Sequence, residues 1–396
     1  MKNIKRYRDF LLENNSIKIE MPLPYDIINI SNQYIKNDKN IFVVGGAVRD
    51  FLQGKTPKDY DLVTNALPNE SKKILNEFDV SDEQGKNFGV IRVYTKDEPN
   101  GYEIASYRKD ISLGRDTKGD DQKVEMGNHI TIEDDCMRRD LTINALFYNI
   151  EKKEIVDIVG GVNDIKNNVI KSVGNPIERF KEDRLRICRI FRFTARSNGK
   201  IDKQTSDAIK SDNRLVGVGP KEDVSAERIW DEIKKSFTQC KKFSIYLTLL
   251  NEYNMWSQVF PGVKINKDIQ DSKYLEVYLA NLLKDNDAST LFNKMVQNFK
   301  IEIDISRKVI FLISLLSLNV DNIIDLYKKK QIARVSDDVI LDWYNINNIT
   351  NKIHMAFLEY KPSISAEDLM SKGFRGPELG KEIKRLESEK FKQMYK

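Results

Sequence analysis

A chain of 396 residues is long for one hydrophobic core, so two or more units are expected. With 40% hydrophobic and 32% charged residues, the sequence holds no apolar run near the ~20 residues that a membrane helix needs. A net charge of +5 is too small to require a polyanionic partner. Three cysteines (136, 188, 240) form no CxxC pair, and two histidines (129, 354) leave oxygen as the ready metal donor, which points to Mg2+, Mn2+ or Ca2+ rather than zinc.

The first twenty residues, MKNIKRYRDFLLENNSIKIE, mix basic side chains with Asp9, Glu13 and Glu20 and lack the apolar stretch of a signal peptide. The expectation is an intracellular, cytoplasmic protein in which residues 1–23 form an N-terminal extension. Between 24 and 158, strand-like runs FVV (42–44), YDLV (60–63), GVIRVYT (89–95) and GYEIASY (101–107) mix with helical stretches at 46–53, 68–77 and 135–146. This mixture predicts an α/β or α+β domain built on one sheet. Residues 109–130 are polar, glycine-containing and aperiodic, a loop of the length that is usually functional or mobile. From about 177, apolar residues recur at helical spacing, as in IERFKEDRLRICRIFRFTAR, AERIWDEIKKSF and KVIFLISLLSL, so 177–396 is expected to be all-helical. Turns at 260–268 and near 335 are the candidate internal boundaries.

Two patterns in FVVGGAVRDFLQGKTPKDYDLVT (42–64) carry chemistry. A strand ending in Gly45-Gly46 and running into a helix leaves backbone N–H groups free at the helix start, where a phosphate can approach and Arg49 can add a charged contact. Ordinary turn chemistry explains the same glycines. If DYD lies on a strand, Asp59 and Asp61 face the same side and repel unless a proton or a hard cation intervenes. Solvated acids at a strand edge explain DYD equally. A phosphate cradle and a carboxylate pair this close together outline a site for a metal–nucleoside triphosphate. In a two-metal arrangement a third carboxylate completes such a site. Glu103 is the candidate, with a plain surface acid as the other reading.

GGAVRDFLQGKTPKDYDLVT resembles the signature motif of the class II tRNA nucleotidyltransferase and bacterial poly(A) polymerase family. RRDLTINALFY (138–148) resembles the family's second motif. DIVGGVNDIKNNVIKSVGNPIERFKEDRLRICRIFRF (157–193) is similar to its connecting segment and nucleotide-selecting motif, and VSAERIWDEI (224–233) to the helix that follows. The resemblance implies an α+β fold: a nucleotidyltransferase head with a mixed sheet (24–158), then an elongated helical neck (159–240), body (241–335) and tail (336–396). It also implies Mg2+ (or Mn2+) on Asp59 and Asp61, with CTP and ATP as substrates. Arg139 and Asp140 would contact the incoming nucleotide's phosphate or ribose.

Residues 171–200 hold nine Lys/Arg against three Asp/Glu, and charge alone would make them a solvated face. Within them Asp183, Arg186, Arg189 and Arg192 recur every three residues, one spiralling stripe if all four share a helix. A carboxylate only accepts hydrogen bonds and a guanidinium only donates them. Cytosine and adenine each offer an amino donor beside a ring-nitrogen acceptor, which complements such a pair, whereas uracil and guanine set like against like. The resemblance implies this selecting role for Asp183 and Arg186, with Arg189 and Arg192 holding the nucleotide. The family commonly has proline after the Glu-Asp pair. Arg184 stands there instead, and a looser start to the helix is expected.

LMSKGFRGPELGKEIKRLESEKF (369–391) is similar to a C-terminal segment of many CCA-adding enzymes that lies in the tail holding the tRNA. Lys381, Lys384 and Arg385 suit RNA phosphate contacts, and plain helix packing explains the segment too. The expected activity is template-independent addition of C, C and A to a tRNA 3′ end with release of pyrophosphate. A poly(A) polymerase shares every motif named, CC-only or A-only addition also fits, and an inactive RNA-binding relative is the remaining alternative. No protein partner and no membrane are implied.

Overall fold

The computed structural model describes residues 16–82, 89–111, 123–127, 129–215 and 224–394. The chain forms two compact units, Met1–Val224 and Ser225–Lys396.

The first unit is built on an eight-stranded mixed sheet. Its strands are β1 (Ser16–Lys18), β2 (Ile41–Val44), β3 (Asp61–Thr64), β4 (Asp79–Ser81), β5 (Val90–Tyr94), β6 (Tyr102–Ser106), β9 (Leu146–Asn149) and β10 (Glu154–Asp157), with the order β1-β10-β9-β2-β3-β6-β5-β4. A separate antiparallel pair, β7 (Lys109–Ile111) and β8 (Lys123–Glu125), closes the ends of the segment expected to be a loop. The rest of that segment, 112–122 and 128, lies outside the described residues. Among the described residues, only the β3–β6 contact is parallel within the large sheet.

β2, IFVV, is buried along its whole length because both faces of the sheet are covered. Ile41, Val43 and Leu62 join one apolar cluster, with Ile27, Ile30 and Tyr34 of helix α1 (Tyr25–Lys36). Phe42, Val44 and Val63 join the other, with Ile132, Cys136 and Phe147. This alternation is the period-two geometry of a strand, and it decides which face the site residues share. The sheet also reaches into the segment taken as an N-terminal extension: β1 pairs with β10, and Met21 lies in the core.

The remaining helices of this unit are α2 (Gly46–Leu52), α3 (Pro68–Ile74), α4 (Ile132–Met137), α5 (Gly161–Lys166), α6 (Pro176–Glu182), α7 (Leu185–Ser197) and α8 (Lys203–Ser211). The helix expected over 135–146 is three elements. α4 stops at Met137, Thr142–Asn144 makes a single 3-10 turn, and β9 begins at Leu146. Two short strands, β11 (Val169–Ile170) and β12 (Lys200–Ile201), pair in parallel, so the part after 177 is not wholly helical.

The second unit is helical, with α9 (Ala226–Gln239), α10 (Phe243–Glu252), α11 (Trp256–Val259), α12 (Leu275–Leu283), α13 (Ala288–Asn293), α14 (Ile303–Ser314), α15 (Ile323–Ala333), α16 (Asp337–Ile346), α17 (Lys352–Glu359), α18 (Ala366–Ser371) and α19 (Gly376–Met394). Every residue of α12, LEVYLANLL, except Glu276 is buried, which explains its largely apolar composition. Trp230, Trp256 and Trp343 are all buried in this unit. No helix among the described residues is long and apolar enough to cross a membrane.

Candidate nucleotidyl-transfer site

β2 runs straight into α2 through Gly45, whose backbone takes φ +67°. That left-handed region strains any residue with a Cβ, so glycine is what permits the turn. Register then sets the neighbours. Val44 lies opposite Asp61, and Leu62 lies opposite Ile104, so Asp61 and Glu103 stand one step further along adjacent strands. By alternation both lie on the face shared by Val63 and Phe147.

Asp59 is not on the strand. β3 begins at Asp61, and Asp59 precedes it in irregular backbone. Strand periodicity therefore does not bring the two carboxylates together, yet they still act on one another. Asp61 is solvent-accessible, but the protein crowded around it removes bulk water, and this desolvation is the first cause raising its carboxyl above the ordinary value. Glu103 raises it further, Arg139 opposes, and Asp59 adds to the rise. Glu103 is exposed and ion-paired to Arg92, its cross-strand partner.

The all-oxygen set around Asp61 is chemically suited to a hard divalent cation, which would relieve this repulsion. Among the described residues no three His, Cys, Asp or Glu side chains gather closely enough to hold an ion by themselves. The fit rests on Asp59 and Asp61, with further positions left to substrate oxygens.

Arg139 sits beside the glycine turn. Its guanidinium lies 4.9 Å over the Phe147 ring, and a Cβ on Gly45 would meet its Nη1 at 3.5 Å. Asp135 holds it: Arg139 Nη2 donates to Asp135 Oδ2 at 2.9 Å, and Arg138 Nε donates to Oδ1 at 2.9 Å. Burial alone would raise the Asp135 carboxyl, but Arg139 and Arg138 outweigh it and hold the group below its usual range. α4 places Asp135 because Thr131 and Asp134 cap its first turn reciprocally. Asp135 escaped the sequence reading, although acid and base three and four residues apart in DDCMRRD carried the signal.

Arg49 points inward rather than toward open solvent. It is 5% exposed, donates to Asp50 and to Asn144 Oδ1, and lies 5.2 Å over the Phe193 ring. Arg192 is also buried, 4.5 Å over the same ring from its own position. Asp140 and Arg189 pair with each other at 2.6 Å. Burial would raise Asp140, yet Arg189 and bonds from Asn144 and the Leu141 N–H keep it ionised below the ordinary value.

The stripe expected from Asp183 to Arg192 is interrupted. Asp183 sits in the break between α6 and α7 with extended backbone, and its Oδ1 accepts from the Leu185 N–H at 3.0 Å. Only the arginines lie on α7. Arg186 donates to Glu182 Oε2 at 2.6 Å and to the Arg179 carbonyl at 3.0 Å. Arg184, at the position where the family commonly has proline, is tied into the fold at the start of α7. It is buried and reaches Asp212 at 2.8 Å and the Arg214 carbonyl at 3.1 Å.

In the second unit, two of the three expected RNA-contacting cations are engaged within the chain: Lys384 with Asp325 at 2.7 Å, and Arg385 with Glu382 and Glu389 at 2.6 Å each. Lys381 is exposed.

Sheet order, glycine turn and facing carboxylates define a nucleotidyltransferase head followed by helices. Residues 41–171 match the family model described as the poly A polymerase head domain, and residues 200–266 the one described as the probable RNA and SrmB-binding site of polymerase A. The chain belongs to the class II tRNA nucleotidyltransferase and bacterial poly(A) polymerase family. Poly(A) polymerase I of Salmonella typhi is 31% identical over 252 residues, covering 62% of this chain and 52% of that protein. The chain thus spans about half the length of the poly(A) polymerase I relatives that it matches. The CCA-adding enzyme of Pediococcus pentosaceus is 28% identical over 377 residues, 87% of this chain and 88% of the relative. Among solved structures, the Bacillus stearothermophilus CCA-adding enzyme in complex with CTP shares the fold, with a TM-score of 0.64 and 21% identity over 93% of this chain and 92% of that one.

Proposed function

We propose that this chain is a template-independent nucleotidyltransferase that adds CCA, or part of it, to tRNA 3′ ends from CTP and ATP, releasing pyrophosphate. The observation carrying this reading is extent. Likeness to a CCA-adding enzyme runs along nearly all of both chains, whereas likeness to poly(A) polymerase I covers about half of that protein. A divalent cation on Asp59 and Asp61, Mg2+ or Mn2+, with a second ion in a two-metal site, would lower the pKa of the attacking RNA 3′-hydroxyl and offset triphosphate charge.

The chain's own residues orient the reactants. The Gly45 turn admits phosphate close to the backbone, and Arg139, clamped by Asp135 and Phe147, presents a fixed positive charge beside Asp61. Asp183, with its backbone fixed at the break before α7, accepts from the amino group of cytosine or adenine, while Arg186 donates to the ring nitrogen. The segments 159–240, 241–335 and 336–396 serve as neck, body and tail, the last positioning RNA through Lys381 with lesser parts for Lys384 and Arg385.

The test is incubation with tRNA lacking its CCA end, Mg2+, and labelled CTP and ATP singly and together. Two C residues from CTP alone, then one A when ATP is added, is the expected product. A long A-only product without use of CTP makes the chain a poly(A) polymerase, the reading favoured by the 31% match over 252 residues. No incorporation with retained RNA binding leaves an inactive relative.

A further inference from the structure

One hydrogen-bonded path joins the glycine turn to the selecting helix, and no nucleotide role accounts for its central member. Arg189 and Arg196 lie two turns apart on α7. Arg196 Nη2 donates to Asp50 at 3.2 Å, and Asp50 accepts from Arg49 Nη2 at 2.8 Å. Arg49 Nη1 donates to Asn144 Oδ1, and Asn144 Nδ2 donates to Asp140 Oδ1 at 3.3 Å. Asp140 Oδ2 then accepts from Arg189 Nε at 2.7 Å, which returns the path to α7. The backbone carbonyl of Asn144 takes the third element, accepting from Arg139 Nη1 at 3.3 Å.

An amide suits this junction. It must accept from a guanidinium on one side and donate to a carboxylate on the other, which fixes its orientation. An aspartate would face Asp140 with a like charge, and an apolar residue would take one hydrogen-bond partner from buried Arg49 and one from Asp140. Asn144 is 9% exposed, in the 3-10 turn between α4 and β9.

We propose that Asn144 is a positioning residue that locks the glycine turn, Arg139 and the selecting helix into one frame, so that base choice depends on a side chain that touches no base. This rests on the nucleotidyl-transfer reading of the site. The experiment measures equilibrium binding of CTP, ATP, UTP and GTP with Mg2+ to the full chain, alongside kcat and KM for incorporation on tRNA lacking its end. Asn144→Ala should cut the preference for CTP over UTP about tenfold or more, raising KM for CTP more than it lowers kcat. RNA affinity should hold.

Asn144→Asp keeps an acceptor for Arg49 in the same volume and guards against a folding failure. It should lose the same preference through repulsion of Asp140. An unchanged preference in both variants overturns the proposal, as does an equal loss of affinity for all four nucleotides. A wild-type protein that binds all four alike overturns the selecting site along with it. Wild-type preference without incorporation counts against the transfer reaction alone, and the preference of the variants still decides the role of Asn144.

Discussion

At the scale of single residues, Asp61 and Asp135 are opposite cases. The Asp61 carboxyl is raised, so its ionised form opposes folding, and that penalty vanishes as pH falls below the value at which the group protonates. Asp61→Asn should therefore melt higher than wild type at pH 7, with the gain shrinking toward pH 4. Incorporation should fall at least about a hundredfold, since a cation site is worth several kcal/mol to the transition state. A variant that melts lower, or stays active, would refute the assignment. Asp135 is buried between two arginines, and Asp135→Ala should cost about 3 kcal/mol in urea denaturation, because Arg138 and Arg139 lose their shared partner. Sequence pattern marked Asp61 and Glu103 because their residue types and order carry chemistry, and Arg139 entered through the family resemblance alone. It missed Asp135, Asp50 and Asn144, whose importance lies in contacts up to 146 residues apart. It read Arg49 as able to add a charged contact to a phosphate, and gave no sign that the side chain is buried and paired with Asp50.

Secondary-structure elements show where local periodicity misleads. The stretch 135–146 has helical spacing, yet Leu146 and Phe147 belong to the central sheet, and tertiary pairing with β2 and β10 overrides the local preference. The repeat from Asp183 to Arg192 looks continuous, but the chain breaks at Asp183 (φ −152°, ψ 107°) before α7 begins. That break also explains how the chain does without proline at 184. Asp183 already has the extended backbone that precedes a proline, and Arg184, at φ −69°, has the proline angle. Arg184→Pro should thus fit the backbone. Losing the bonds to Asp212 and the Arg214 carbonyl is offset by a stiffer unfolded chain, so its stability should stay within about 1 kcal/mol of wild type. A loss of several kcal/mol in chemical denaturation would show that the side chain, not the backbone, determines the start of α7.

For the molecule as a whole, the division into a sheet-bearing part and a helical part was legible because strand and helix periods differ along the chain. The position of the division was not: it falls at Val224, within the segment taken as one neck. β1 was missed as well, because a three-residue edge strand has too little pattern to register. Both units hold carboxyls below their ordinary values, but Asp135 and Asp140 of the first are largely buried, whereas Glu227, Asp287 and Glu302 of the second are exposed and count for less. Asp135 and Asp140, both held below their ordinary values and both in the first unit, contribute stability that is present above about pH 4 and lost as pH falls further. Acid should unfold the first unit before the second, and a single coincident transition would contradict this. The placement of tryptophan makes the order directly visible. All three indoles belong to the second unit, so excitation at the red edge of their absorption, where tyrosine hardly absorbs, leaves the sheet-bearing unit dark. During acid titration, far-UV ellipticity should fall first while the emission spectrum stays that of buried indole, a separation of signals that needs no dye and no added label.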